Sequence, residues 1–152
     1  MWKDFGIKTG ELIRKGDTTI LKLPYNMQMT PVIKVSDEVG GSLVHIQTDH
    51  SKSGRTHCIR AEYITSKREQ TYESLGWMNG QQIMVIAPEN VQVQEIFMRD
   101  YCNADVHRGE FLSDNEKMNF LFEAARETLR QNSLDIFMDC PSRERAGWLC
   151  DS

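Results

Sequence analysis

The last stretch of the chain, Asp139-Cys140-Pro141-Ser142-Arg143-Glu144-Arg145-Ala146-Gly147-Trp148-Leu149-Cys150-Asp151, gathers three carboxyl groups, two guanidiniums and an indole into one short run. Carboxyls in such company are equipped for proton transfer. Burial beside an apolar surface such as Trp148 raises a carboxyl pKa and suits the group to donate near neutrality, whereas a guanidinium from Arg143 or Arg145 favours the ionised form. The simplest local reading is a helix start, with Asp139 as an anionic cap, Pro141 in the first turn and Glu144 favoured by the helix dipole. Termini fray unless something docks on them, so a cluster of this density beside Ser152 predicts a piece of a longer protein.

Two regions of different period must position that run. From about Thr18 to Tyr101 the chain reads as short strands over Ile20 to Leu23, Val32 to Val35, Leu43 to Thr48, Cys58 to Thr65, Gln70 to Leu75, Ile83 to Ile86 and Val91 to Met98. Val44 and Ile46 alternate with His45 and Gln47; Ile59, Ala61 and Tyr63 alternate with Arg60 and Glu62; Val91 and Val93 flank Gln92. Pro24, Pro31 and Pro88 are expected at strand ends, where a missing amide hydrogen costs least, and Gly40-Gly41 at a turn. Asn79-Gly80 predicts a tight hairpin between Glu73 to Trp77 and Gln82 to Ile86. No helix-length crossover separates these strands, which predicts a mainly β chain built as an antiparallel β-sandwich.

After Tyr101 the period lengthens. Ser113-Asp114-Asn115-Glu116 reads as a capping box, with Met118, Leu121, Phe122, Ala125 and Leu129 then at helical spacing and Phe120 and Ala124 widening the stripe. So broad a stripe calls for two neighbours. Alone, the helix is expected to fold back on the sheet, self-associate through its apolar surface or lose order. Asn132-Ser133 ends it, and Leu134 to Met138 leads into Asp139.

The run Asp139-Cys140-Pro141-x-Arg143-Glu144-Arg145-x-Gly147-Trp148-x-x-Asp151 closely resembles the signature of bacterial alpha-L-rhamnosidases, glycoside hydrolases with an (α/α)6 barrel. Arg60-Ala61-Glu62-Tyr63-Ile64-Thr65, Gly76-Trp77-Met78-Asn79-Gly80, Arg99 to Tyr101, Gly109-Glu110-Phe111 and Ser113-Asp114-Asn115-Glu116 resemble the same family's β-sandwich and the start of its barrel. The resemblance implies a β-sandwich linker domain over 1–109 and a truncated start of the helical-barrel catalytic domain over 110–152. It implies Glu144 as the general acid, Asp139 and Asp151 as ligands of rhamnose hydroxyls, Arg143 as a contact that orients the site, and Trp148 as its wall. The family pattern often carries Gln or another polar residue at Ser142 and commonly Thr-Gly at Leu149-Cys150, so the subsites differ in detail.

Glycosidic cleavage needs an acid on the leaving oxygen and a second carboxylate acting on the opposite face of the ring. Asp139, Glu144 and Asp151 share one short segment and should gather on one side of the sugar. The resemblance implies inversion of configuration, with a base Glu from a later part of the barrel. The isolated chain is therefore expected to be inactive, its partners being a rhamnose-containing substrate and the remainder of the barrel. Arg143 and Arg145 are expected to face Asp139, Asp151 or barrel groups rather than Glu144, since a direct pair would keep the acid ionised.

At 152 residues the chain suits one domain and can bury roughly two thirds of its unfolded surface. A net charge of −4, with signs mixed, gives no basic block for nucleic acid. No run is long enough to cross a bilayer and the first residues lack a signal peptide's apolar stretch, which leaves open where a longer parent works, periplasm or cell exterior included. Cys58, Cys102, Cys140 and Cys150 show no zinc spacing; free thiols are expected, without a metal or cofactor. His45, His50, His57 and His107 share no ligand spacing, and Met27, Met29, Met84 and Met98 read as core filling. The competing reading is a non-catalytic carbohydrate-binding β-sandwich, in which Trp77, Tyr63 and Tyr72 form a platform for a sugar ring. Packing in the core is the plainer role for these aromatics.

Overall fold

The computed structural model describes residues 7–8, 10–50, 59–105, 109–134 and 136–148. Among these, eight strands and one helix follow in chain order: β1 Ile7–Lys8, β2 Leu12–Lys15, β3 Thr18–Asp37, β4 Leu43–Thr48, β5 Arg60–Ile64, β6 Arg68–Glu73, β7 Met78–Ile86, β8 Val91–Asp100 and α1 Glu116–Asn132. The result is an antiparallel β-sandwich followed by a helix, as the strand spacing predicts. Every paired strand is antiparallel to its neighbour.

β3 joins the two parts of the sandwich. Its first half pairs with β2 and β7, and β7 leads on to β4 and β5; its second half pairs with β6 and β8, and β8 leads to β1. Side chains from both halves, among them Leu21, Met29, Ile33, Val35, Val44, Ile46, Ile83, Val85, Ile96 and Met98, enclose one apolar core. The expected alternation holds in β5 and β8, where Arg60, Glu62 and Gln92 are exposed and Val91 and Val93 buried; in β4, Val44 and Ile46 are buried as expected, but Gln47, expected on the wet face, is buried as well.

Three sequence expectations need correction. The strands over Ile20 to Leu23 and Val32 to Val35 are one strand, with Pro24 and Pro31 inside it. Pro24 lies where the β3/β7 register shifts between Lys22 and Met27. Pro31 lies between the end of the β7 ladder at Met29 and the start of the β6 ladder at Val32. Its carbonyl accepts from the Ser74 amide at 2.9 Å. The ring nitrogen faces the same side, where no ladder bond is lost.

Asn79-Gly80 is not a turn. Both residues lie in β7 and both are buried. β6 and β7 each run antiparallel to β3, so the chain continues in one direction from Glu73 through Ser74–Trp77 to Met78 and never reverses. Gly80 serves close packing instead: a Cβ there would stand 2.7 Å from both Asp49 Oδ1 and Thr48 Cβ. The tight hairpin lies earlier, at Gly16-Asp17 between β2 and β3, where Lys15 pairs with Thr18 and Gly16 has φ +59°.

The helix begins at Glu116 with Asn115 as its cap, two residues beyond Ser113; the Asn115 side chain accepts from the Lys117 amide at 3.0 Å. Ser113 instead exchanges hydrogen bonds with Asn119, its amide donating to Oδ1 and its carbonyl accepting from Nδ2, both at 2.8 Å. The helix ends at Asn132-Ser133 as expected. Its apolar stripe is not folded back: Met118, Phe120, Leu121 and Leu129 are exposed, and only Arg130 and Gln131 on α1 are buried. The last turn does the anchoring. The Gln28 amide donates to Gln131 Oε1 at 2.7 Å, the Gln28 side chain donates to the Gln131 carbonyl, and Arg130 reaches Asp100 at 3.3 Å while pairing with Glu127 at 2.6 Å.

Candidate active site

The helix end delivers the carboxyl cluster. The Met138 amide donates to the Asn132 carbonyl at 2.8 Å, and Met138 is buried, so the chain turns back against the last turn of α1 before Asp139. Asp139 then closes a loop on Ala146. Its amide donates to the Ala146 carbonyl at 3.0 Å, and its Oδ1 accepts from the Ala146 amide at 3.2 Å. Within the loop Pro141–Glu144 form a turn, so the helix start suggested by Asp139 and Pro141 is not formed among the described residues. A carboxylate that bonds back to its own loop replaces the helical amides with a local pair.

Asp139 is held below the ordinary carboxylate range, first by the Cys140 thiol donating to Oδ2 at 3.1 Å, then by the Cys140 and Ala146 amides and the charge of Arg143. It is therefore an anion at neutral pH, suited to accept hydrogen bonds from hydroxyl groups. Glu144 ends the Pro141–Glu144 turn of the same loop. Arg143 Nη2 lies 3.1 Å from Glu144 Oε1, with the two side chains 61% and 41% exposed. This reverses the expectation that the arginines avoid Glu144. Both side chains are exposed on the Pro141–Glu144 turn, where adjacent opposite charges can meet.

Arg145 reaches towards the sheet. Its Nε donates to the Pro141 carbonyl at 2.9 Å, its Nη2 donates to the Trp77 carbonyl at 3.1 Å, and its guanidinium carbon lies 3.4 Å from the centroid of the Trp77 ring. Trp148 is half-exposed on the same run. Asp151 and Cys150 lie outside the described residues, as do Cys58, His57 and His107. A groove of about 500 Å³ along Ala125, Leu129, Phe137 and Met138 does not include Asp139 or Glu144, and a smaller one of about 220 Å³ takes only Pro141 from the run.

The proposed sugar platform is not assembled. Tyr63 and Tyr72 stack on each other at 4.3 Å and pack against the core, whereas Trp77 lies under Arg145. Cys102 and Cys140 are free thiols, and burial, with Asp100 adding to it, pushes the Cys102 thiol up to about 12. Sequence reasoning missed the polar seam of Gln28, Asp100, Cys102, Arg130 and Gln131. Its one signal was Gln28 between Met27 and Met29 on a buried strand.

Residues 106–152 match the family described as the bacterial alpha-L-rhamnosidase 6 hairpin glycosidase domain. An alpha-L-rhamnosidase of Formosa agariphila is 26% identical over 164 aligned positions, which cover 96% of this chain and 17% of that protein. The crystal structure of a GH78-family rhamnosidase of Bacillus sp. GL1 superposes with a TM-score of 0.70 at 19% identity, over 91% of this chain and 16% of the other. A Klebsiella oxytoca rhamnosidase with rhamnose bound superposes with a TM-score of 0.64 at 11% identity, over 91% of this chain and 31% of the other. The chain thus spans about a sixth of the curated relative's length and shares its fold with the matching part of both solved structures.

Proposed function

We propose that the protein containing this chain, which is similar to rhamnosidases along most of its length, hydrolyses terminal alpha-L-rhamnosides with inversion, and that this segment contributes the proton donor without the base. Residues 1–109 are the β-sandwich linker domain and 110–152 open the helical-barrel catalytic domain. Glu144 protonates the leaving oxygen, Asp139 and Asp151 accept hydrogen bonds from the sugar hydroxyls, Arg143 orients the acid and Trp148 walls the ring.

The observation that carries this reading is the Asp139–Ala146 loop, which sets an anionic Asp139 and an exposed Glu144 on one short closed segment within the region of family similarity. Inverting glycosidases hold acid and base about 6.5–9.5 Å apart on opposite faces of the sugar. Two carboxyls of one small loop serve a single face, so the base comes from elsewhere in the longer protein. Both groups of the Arg143–Glu144 pair are well exposed, and such pairs contribute about 0–1 kcal/mol, so the contact does not lock Glu144 away from a substrate.

Incubating the 152-residue chain with 4-nitrophenyl alpha-L-rhamnoside tests the split. We expect no turnover above buffer. Saturable hydrolysis that disappears in Glu144→Gln would contradict the division of acid and base.

A further inference from the structure

Arg145 is a non-glycine residue with φ +59°, a left-handed conformation that side chains with a Cβ rarely adopt. Such a backbone persists where surrounding contacts over-determine it, and the Arg145 side chain supplies several of them. The planar guanidinium uses one edge within its own loop, on the Pro141 carbonyl, and another on the Trp77 carbonyl, with its face over the Trp77 ring. A fork with donors in fixed directions makes three such contacts at once, whereas an ammonium cannot. Trp77 itself ends the Ser74–Trp77 connection, where Ser74 is tied to Pro31 of β3 through its amide and to Gly76 through its hydroxyl. The loop bearing Glu144 is thereby fastened to the rigid part of the sheet.

We propose that Arg145 is a positioning residue: through Trp77 it fixes the Asp139–Ala146 loop, so that the sheet, and not α1 alone, sets where the Glu144 carboxyl stands. The sandwich then takes part in presenting the acid. The catalytic meaning of this rests on the role given to Glu144 above, but the fastening itself is read without substrate.

The experiment is residue-resolved amide exchange on the 152-residue chain carrying Arg145→Ala, Arg145→Gly, Arg145→Lys or Trp77→Leu. The reporters are the Asp139 and Ala146 amides; Ile33 on β3 reports the fold. We expect both loop amides to exchange at least ~10-fold faster in Arg145→Ala and Arg145→Gly, the scale of one cation–π contact plus charge-assisted hydrogen bonds. Ile33 should keep its protection. Arg145→Lys should restore part of the loop protection, and Trp77→Leu, which keeps the carbonyl, should lose part of it. The ¹⁹F resonance of 5-fluorotryptophan at position 77 should shift in every Arg145 variant, a signature that a general loss of stability does not produce.

Wild-type protection in Arg145→Gly would show that only the backbone conformation matters and would overturn the proposal; so would loop amides indifferent to all four changes. If Arg145→Ala fails to fold, Arg145→Lys and Trp77→Leu decide by the same criterion. A loop fastened as described, in a longer protein whose Glu144→Gln variant keeps full activity, would sink the acid role and leave the positioning intact.

Discussion

The backbone amide of Gln28 donates to Oε1 of Gln131 at 2.7 Å, joining the middle of β3 to the last turn of α1 across 103 residues. A second bond runs from the Gln28 side chain to the Gln131 carbonyl, and both residues are buried. This polar seam, rather than the apolar stripe of α1, holds the helix to the sandwich. It also fixes the direction from which the chain enters the Asp139 loop.

Removing a partner from the seam leaves buried groups unpaired. Arg130 and Asp100 have side chains only 6% and 2% exposed, and breaking such a pair from one side typically costs about 3–5 kcal/mol. Burial alone lowers the Arg130 pKa, but Glu127 and Asp100 more than offset it and hold the group charged. We expect urea unfolding of Arg130→Ala to show a loss of that size, with Gln131→Ala losing about 1–3 kcal/mol. Losses below ~0.5 kcal/mol in both, the level of ordinary surface changes, would remove the seam from the account.

Asp37 links three turns of the sandwich and should make stability depend on pH. Its Oδ2 accepts from the Thr65 hydroxyl at 2.7 Å, and its Oδ1 from the Val39 amide at 2.9 Å and the Asn90 side chain at 3.2 Å. Thr65 first, then Ser42 and the Gly40 amide, hold its carboxyl far below the usual range. A depressed folded-state pKa adds stability that is complete above the unfolded value of about 4 and is lost as pH falls below it. Denaturation of wild type and Asp37→Asn should therefore differ most near neutrality and converge towards pH 2. A difference that grows on acidification would contradict this reading.

Gly80 should resist enlargement. Asp49 Oδ1, which a Cβ would meet at 2.7 Å, also accepts from the Gln81 and Gln82 amides at 2.8 and 2.9 Å, so it cannot retreat without releasing both. We expect Gly80→Ala to cost about 1–3 kcal/mol, the usual range for overpacking. Adding Asp49→Ala should give a double variant less unstable than the two losses summed. Strict additivity in thermal unfolding would show that the clash lies elsewhere.

What could be read without coordinates follows from the range of the interactions involved. The Val91/Val93 alternation reports one-sided burial directly, and the end of α1 at Asn132-Ser133 is a local choice; both are legible, whereas the burial of Gln47 beside Val44 and Ile46 is not. Pro24 and Pro31 read as strand ends because a sequence does not reveal that the register shifts at one and that the other falls between the β7 and β6 ladders while pairing with Met98 of β8. Asn79-Gly80 has turn chemistry, but its environment is decided by Asp49 and Thr48 on another segment. Asp139, Arg143, Glu144 and Trp148 stood out by residue type and spacing. The bond from Arg145 to Trp77 spans 68 residues and leaves no periodic trace. The Arg143–Glu144 pair departs from expectation because an enclosed acid would exclude it, whereas these two side chains are 61% and 41% exposed.

The most direct test of Glu144 as proton donor is the effect of Glu144→Gln on kcat in the longer protein, measured with two rhamnosides that differ only in leaving group. General acid catalysis contributes typically about 10²–10⁴-fold, and it is needed least when the leaving group departs as a stable anion. We expect a loss in that range with an alkyl rhamnoside and a much smaller one with 2,4-dinitrophenyl alpha-L-rhamnoside. Equal losses with both substrates, or activity retained with the alkyl rhamnoside, would contradict the assignment.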